Sequence, residues 1–499
     1  DLLRRLRGQG LDLVEEDEVD GLVHHVHHVV EPGGEGIDVL AVEGRHERAV
    51  GTSHDLALRE PGQDRPVGSE VALAAALTAP VAGSPQAGAG VPSLVAGSWP
   101  WFRGPEWDGI CRDATPLARS WPDSGPPVLW TVPLGEGYAG AAIDQGRVYV
   151  LDYDEQAKAD TLRCLSLDDG REIWHNSYPV DVMRNHGMSR TVPAIVNDAV
   201  ITIGPRCQVA CWDAVTGANR WLRDLAMEYG TEVPRWYTGQ CPLIDNGRLI
   251  LAPAGPKALL AALDIQTGEP IWTTPNPQHR TMTHASIVPL EFLGRRMYVY
   301  CASSAVVGVS ADDGTQLWQS TDWFEQFATS PSPVVLPEGQ IFLCSGYGNK
   351  VGSLMLQLHP TQDGIEVQRR FELAPKQFNS EQHTPIFFDG HLLGVRKQDR
   401  GRLVCLDLAG NEVWHSGKDR FGHGPYMVAD GVILALSNDG ELVMAEASTT
   451  GYHPLARFQV FADGHDAWGP MALAGGRLIV RDMTRMTCLD LAAGGGTGE

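Results

Sequence analysis

From residue 140 onward the chain alternates short apolar runs with tight polar turns. "GAAIDQGRVYVLD", "VPAIVNDAVITIG", "CPLIDNGRLILAP", "ASIVPLEFLGRRMYVYC", "PSPVVLPEGQIFLCS", "TPIFFDGHLLGVR", "GPYMVADGVILAL" and "GPMALAGGRLIVR" share one layout. A small or polar residue leads into an aliphatic strand, then a turn, usually rich in Asp, Asn and Gly, and a second strand. Period-two patterning broken by turns that need positive φ predicts β-hairpins. A second signature runs in phase with the first. A third strand such as "TLRCLSL" is followed by a glycine turn and a strand carrying Trp. "DDGREIW", "VTGANRW", "QTGEPIW", "DDGTQLW" and "LAGNEVW" place Gly170, Gly217, Gly268, Gly314 and Gly410 each four residues before Trp174, Trp221, Trp272, Trp318 and Trp414. "DGIEVQRRF" is a degenerate copy ending on Phe371, "YHPLARF" ends on Phe458, and "PPVLWTV" carries Trp130.

Four antiparallel strands recurring at a period of about 40–50 residues predict propeller blades. Helical repeats of that length would show apolar spacing of 3.6, which is absent. A lone four-stranded sheet leaves both faces wet. A Trp wedged between neighbouring sheets buries on the order of 150–250 Å², so Trp130, Trp174, Trp221, Trp272, Trp318, Phe371, Trp414 and Phe458 are assigned to sheet docking. The last unit stops after three strands, and the strand of Trp130 has no blade before it. Together they make one composite blade, which leaves no loose edge where the ring meets. The expected fold is therefore all-β: an eight-bladed propeller over 127–491, with a lead-in segment at 99–126 and a flexible Gly-rich tail at 492–499.

Composition changes the picture at the N-terminus. All 14 Trp, 12 Phe, 11 Tyr, nine Cys and 11 Met follow residue 98. A segment without aromatics has little to build a core from, so 1–98 is set apart as poorly folded. Upstream sequence read in another frame is a second reading. The run "VALAAALTAPVAGS" (71–84) has the order of a secretory signal, and no run is long enough for a spanning helix. "HHVHH" (24–28) has the residue type of a zinc or copper site. Without an ordered framework the solvated reading is preferred. The formal net charge of −23 argues against nucleic acid and anionic membranes as partners. Of the nine cysteines, Cys164, Cys405 and Cys488 occupy one point of the repeat, as small apolar residues of a buried strand would.

The segments entering each first strand should line one mouth of the ring: "MRNHGMSR", "EVPRWYTG", "QHRTMTHA", "WFEQFATS", "QFNSEQHT", "DRFGHG" and "GHDAWG". They bring His186, Arg190, Arg235, Trp236, His284, Glu325, His383, Arg420, His423, Asp466 and Trp468 toward one axis, with Tyr237, Asn379 and Glu381. Arginine can grip a carboxylate and indole can stack on a flat ligand. The other reading is a polar lining that satisfies loop backbone groups. Glu325, Asn379 and Asp466 have the donor types of a cation site without a spacing that singles them out; no metal site is assigned. His423 with Glu325 is a conceivable acid–base pair.

The "D-x-x-T-G-x-x-x-W" motif at 213–221 and 264–272 resembles the tryptophan-docking repeat of quinoprotein-type propellers. These are the pyrroloquinoline-quinone (PQQ) dehydrogenases and their cofactor-free relatives, among them the propeller lipoprotein that scaffolds the bacterial outer-membrane β-barrel assembly machine. "WPWFRGPEWDG" (99–109) with "WPDSGPPVLW" (121–130) resembles the preamble of PQQ-like propellers abundant in planctomycete-type bacteria. The resemblance implies a non-catalytic binding or scaffold module of the cell envelope, periplasmic or secreted and monomeric, that takes a protein or small molecule at a propeller face. The alternative it implies is a PQQ- and calcium-dependent alcohol or sugar dehydrogenase with its site at the channel. In such enzymes the quinone lies between a Trp and a disulfide of adjacent cysteines. No two cysteines are adjacent here, so no cofactor is expected. A weaker alternative is a hydrolase or lyase at the mouth. No Cys follows the signal-like run as a lipid anchor would require.

Overall fold

The computed structural model describes residues 80–494 apart from 349 and 363, and the backbone of three strands nearer the N-terminus. The chain divides into two units, Asp1–Glu70 and Val71–Glu499. In the first, Asp17–Val19, Leu22–Val29 and Ile37–Val42 form an antiparallel sheet with Leu22–Val29 in the middle. The imidazoles of 24–28 and most of the signal-like run lie outside the described side chains.

The second unit is the expected eight-bladed β-propeller. Blade 1 is built from Ala142–Asp144, Arg147–Asp154, Ala159–Ser166 and Glu172–Pro179, paired antiparallel in that order from the axis outward. Blades 2 to 7 repeat it, with innermost strands Ala194–Val196, Leu243–Asp245, Val288–Phe292, Val334–Leu336, Ile386–Phe388 and Tyr426–Ala429. Blade 8 is the composite one. Ala472–Ala474, Arg477–Arg481 and Arg485–Asp490 come from the C-terminus, and Val128–Pro133 pairs with Arg485–Asp490 as the outer strand. Its innermost strand packs against that of blade 1, which closes the ring.

Indoles lock successive blades. Nε1 of Trp130 donates to the carbonyl of Leu167 at 3.0 Å, Trp174 to Ala214 at 3.3 Å, Trp221 to Ile265 at 2.8 Å, Trp272 to Ala311 at 3.3 Å and Trp414 to Ser448 at 3.0 Å. In each case the acceptor belongs to the next blade. The rings of the first four cover Gly170, Gly217, Gly268 and Gly314 so closely that an added Cβ would meet them at 2.5–2.8 Å. All four glycines have φ between 68° and 76°, a region that L side chains enter only at a cost. Phe371 stands similarly against Gly410.

Two positions depart from the pattern. Trp318 does not cover the corresponding turn glycine of blade 5, Gly364, where an added Cβ would meet nothing within 4 Å. Its ring lies over Gly308 of its own sheet, with Nε1 3.2 Å from Met297 Sδ. In blade 7 the residue in register with the docking indoles is Ala456, opposite Met444. Phe458, two residues on, packs against Gly125 ahead of blade 8.

Every blade also carries a β-bulge at the residue before this position. Bulges strengthen local twist. Cys164, Cys211, Cys405 and Cys488 sit directly opposite Trp174, Trp221, Trp414 and Trp130. All nine cysteines are buried and unbridged.

Residues just before Trp99 lie on the rim of blade 1. Gln86–Ala87 adds a fifth strand beside Glu172–Pro179, and Ser93 Oγ donates to Asp168 at 2.6 Å.

Candidate functional site

The loops that lead into the inner strands surround one end of the central channel. The lead-in segment crosses the other. Trp99 exchanges backbone hydrogen bonds with Ile143 of blade 1, the Pro100 carbonyl accepts from Ile195 of blade 2, and Gly109 accepts from Val428 of blade 7. Ile110–Cys111 then runs parallel to the inner strand of blade 7. Arg103 is the central tie. Its guanidinium donates to the carbonyls of Trp107 and Asp108 within the segment and of Thr384 and Pro385 in blade 6, at 2.8–3.1 Å. Burial lowers its pKa to about 10. Trp101 and Trp107 stack at 5.5 Å and pack against the core shared by blades 2 to 4. Phe102 is left as the floor of the channel.

Above Phe102 lies a pocket of about 80 Å³. Of the residues expected at the mouth, Arg190, His284, His383 and Trp468 line it, together with Tyr138. Arg190 donates to the carbonyls of Asn185, His186 and Gly187 and sits over the Tyr138 ring at 5.2 Å. Trp468 stacks on Tyr138 with ring centroids 4.8 Å apart. Burial, and then the Arg190 charge, push the His284 imidazole down to about 4. Burial likewise brings His383 to about 4, with the nearby His423 adding to it. Gly239 leaves room for His284, since a Cβ there would come 2.9 Å from its side chain.

A second cluster borders the pocket. Glu381 is buried, with Oε2 2.6 Å from His423 Nε2 and Oε1 2.5 Å from Lys397 Nζ. Burial pushes this carboxyl up, but the His423 hydrogen bond and the Lys397 charge outweigh it, so its pKa lies below the usual range. His423 also meets the Trp468 ring edge-on at 4.9 Å. The acid–base pair of His423 with Glu325, conceivable from the sequence, does not form. Glu325 turns back on its own loop and accepts from the Thr329 amide at 3.0 Å, while Glu381, opening blade 6, faces the histidine of the next blade.

The remaining expected residues do not line this pocket, although Trp236 lies tilted against His284 at 6.4 Å. Arg235 lies over Trp236 at 5.1 Å and near Phe327 at 5.9 Å, on the outer rim of the mouth. Trp236 meets Phe327 edge-on at 5.0 Å. Tyr237 donates to the Met183 carbonyl at 2.5 Å. His186 is exposed, and Arg420 spends its guanidinium on the carbonyls of Gly417 and Asp419 in its own loop. Asn379 is fully buried and donates to the carbonyls of Gly346 and Gly348. Asp466 lies 3.6 Å from His465. Glu325, Asn379 and Asp466 therefore do not converge. Among the described residues no three His, Cys, Asp or Glu side chains come together as metal ligands would. Tyr138 and Phe102 went unassigned from the sequence. Tyr138 could have been found by extending the mouth register back to "GEGYAGA". Phe102 lies in an irregular segment with no periodicity to place it.

The family profile described as "Outer membrane protein assembly factor BamB" matches residues 158–409. No curated protein matches the sequence. Among solved structures, a europium-containing methanol dehydrogenase is 12% identical with a TM-score of 0.52, covering 77% of this chain and 89% of its own. The quinohemoprotein alcohol dehydrogenase from Comamonas testosteroni is 13% identical with a TM-score of 0.54, covering 81% of this chain and 82% of its own. BamB from Moraxella catarrhalis is 12% identical over 73% of this chain and 99% of its own, with a TM-score of 0.48. At such identities the likeness to the dehydrogenases is one of fold. The profile spans just over half of the 499 residues, eight closed blades carry its repeat, and the chain belongs to the PQQ-like propeller family described by that assembly factor.

Proposed function

We propose that the chain is a non-catalytic binding propeller of the cell envelope that docks a protein partner on its mouth face. The observation that carries this reading is the rim patch of Arg235, Trp236, Phe327 and Met183. Phe327 is 56% exposed and Met183 83%. Tryptophan, arginine and methionine grouped around a solvent-facing aromatic are the composition of interface hot spots. The family's printed description as an outer-membrane assembly factor agrees with a scaffold role in the cell envelope. No helix among the described residues is long and apolar enough to cross a membrane.

The dehydrogenase alternative needs room for a tricyclic quinone. Sites for ligands of that class run to about 300–1,000 Å³; the space above Phe102 is about 80 Å³. Its walls carry no pair of adjacent cysteines, and the carboxylate at its border, Glu381, is already shared by His423 and Lys397. The residues present do not fit the cofactor.

Titration calorimetry of the full chain with PQQ and calcium should be silent; saturable heat would replace this reading with the enzymatic one. A photo-crosslinker at Phe327, in envelope preparations of the source cell, should yield one discrete adduct, which Trp236→Ala removes.

A further inference from the structure

Inside the channel, beneath the mouth patch, four polar groups from four blades end without a partner. Arg190 Nε of blade 2, both ring nitrogens of His284 of blade 4, His383 Nε2 of blade 6 and Tyr138 Oη of blade 1 are all buried from solvent and make no hydrogen bond within the protein. Their side chains all line the one pocket above Phe102. A buried donor left unmade costs about 1–3 kcal/mol, so four in one pocket call for a common acceptor.

Charge narrows what that acceptor is. Arg190 is a permanent cation, and its other hydrogen bonds go to neutral carbonyls. Among the described residues no carboxylate forms an ion pair with it. Of the nearby carboxylates, Glu381 is already taken by Lys397 and His423, and Asp466, whose charge reaches Tyr138, lies 3.6 Å from His465. A buried cation without a counter-ion is costly. The molecule as a whole carries a formal net charge of −23, so a diffuse field does not draw anions to it. The positive site is local and built.

We propose that the channel floor is a site for one small oxyanion, a carboxylate or tetrahedral group, received by Arg190 Nε, Tyr138 Oη and the imidazoles of His284 and His383. A space of about 80 Å³ has room for such a group or for a few ordered waters. Two sources share this chemistry: a free inorganic anion, or a carboxylate carried on a partner's peptide. Trp236 of the rim patch lies against His284 at 6.4 Å, but none of the four anion-receiving groups belongs to the patch, so failure of anion binding leaves the docking reading intact.

The test is titration calorimetry of the full chain with sodium phosphate, sodium sulfate, acetate, and a short peptide with either a free or an amidated C-terminus. It is paired with ¹⁵N spectra of the histidine side chains. We expect saturable one-to-one binding over the millimolar range for at least one of these anions, with the His284 and His383 signals moving together. Binding of phosphate or sulfate alone identifies a free anion. Binding of acetate and of the free but not the amidated peptide identifies a partner's carboxylate. Arg190→Gln should weaken binding about tenfold or more, whereas Arg295→Gln, on an exposed hairpin turn, should not. His383→Asn, which leaves the Arg190 loop ties in place, should also weaken it. If the folded chain gives neither heat nor imidazole shifts with any of them, or if both pocket variants bind like the parent, the pocket holds water and the proposal is overturned.

Discussion

Glu325 keeps its proton to about pH 7, because burial penalises its charge and the Thr329 amide only partly offsets this. In the unfolded chain it would ionise near 4.5. A carboxyl with a raised folded pKa favours folding fully below its unfolded value, and that preference is lost as pH rises from about 4.5 to about 7. Glu325→Gln should therefore match the parent near pH 4.5 and exceed it by about 1–2 kcal/mol near pH 8, measured by denaturant unfolding at both pH values. The thiols give a second readout. Burial pushes Cys164, Cys207, Cys211, Cys405 and Cys488 up to about 12. None should react with a disulfide reagent in the native protein near pH 8, and all nine should react once it is unfolded. At this scale the sequence was legible by type but not by partner. It placed His284, His383 and Trp468 at the mouth. That His423 meets Glu381 and not Glu325 depends on how far each loop turns inward, which no linear spacing encodes.

At the scale of the blade, two glycines separate backbone strain from docking. Gly268 and Gly247 both have φ near +73°, but a Cβ on Gly268 would strike the Trp221 ring at 2.8 Å, and one on Gly247 would meet nothing within 4 Å. Gly247→Ala should cost about 1–2 kcal/mol for the left-handed conformation alone. Gly268→Ala should cost about 1–3 kcal/mol more through overpacking. Thermal unfolding of the two variants side by side measures the difference. The repeat was readable because both halves of this contact are chemically distinctive: a glycine that must adopt positive φ, and an indole. The bulge before each docking position was not readable, since one extra residue inside a strand leaves the apolar pattern looking continuous. It also accounts for Ile271, Val413 and Leu455, bulge residues left exposed on outer strands. For the same reason Ala456 and not Phe458 holds the docking register in blade 7.

The whole ring depends on Val128–Pro133. A chain shortened to begin after Pro133 leaves Arg485–Asp490 as a bare strand edge beside blade 1. Such edges pair with other chains. Light scattering should then show larger oligomers or aggregates than the parent forms. Ring closure could be foreseen because a three-strand remainder and an orphan strand complete each other; the crossing of the channel by residues 99–111 could not, because an irregular segment held by carbonyls and one arginine leaves no periodic trace. That crossing ties blades 1, 2, 6 and 7 across the base. Among the described residues it lays a floor across what would be a tunnel, leaving the mouth as the doorway. Whatever settles on Phe102 must leave by the way it came, and a guest seated over the doorway would imprison it, so that release from the depths waits on departure at the surface.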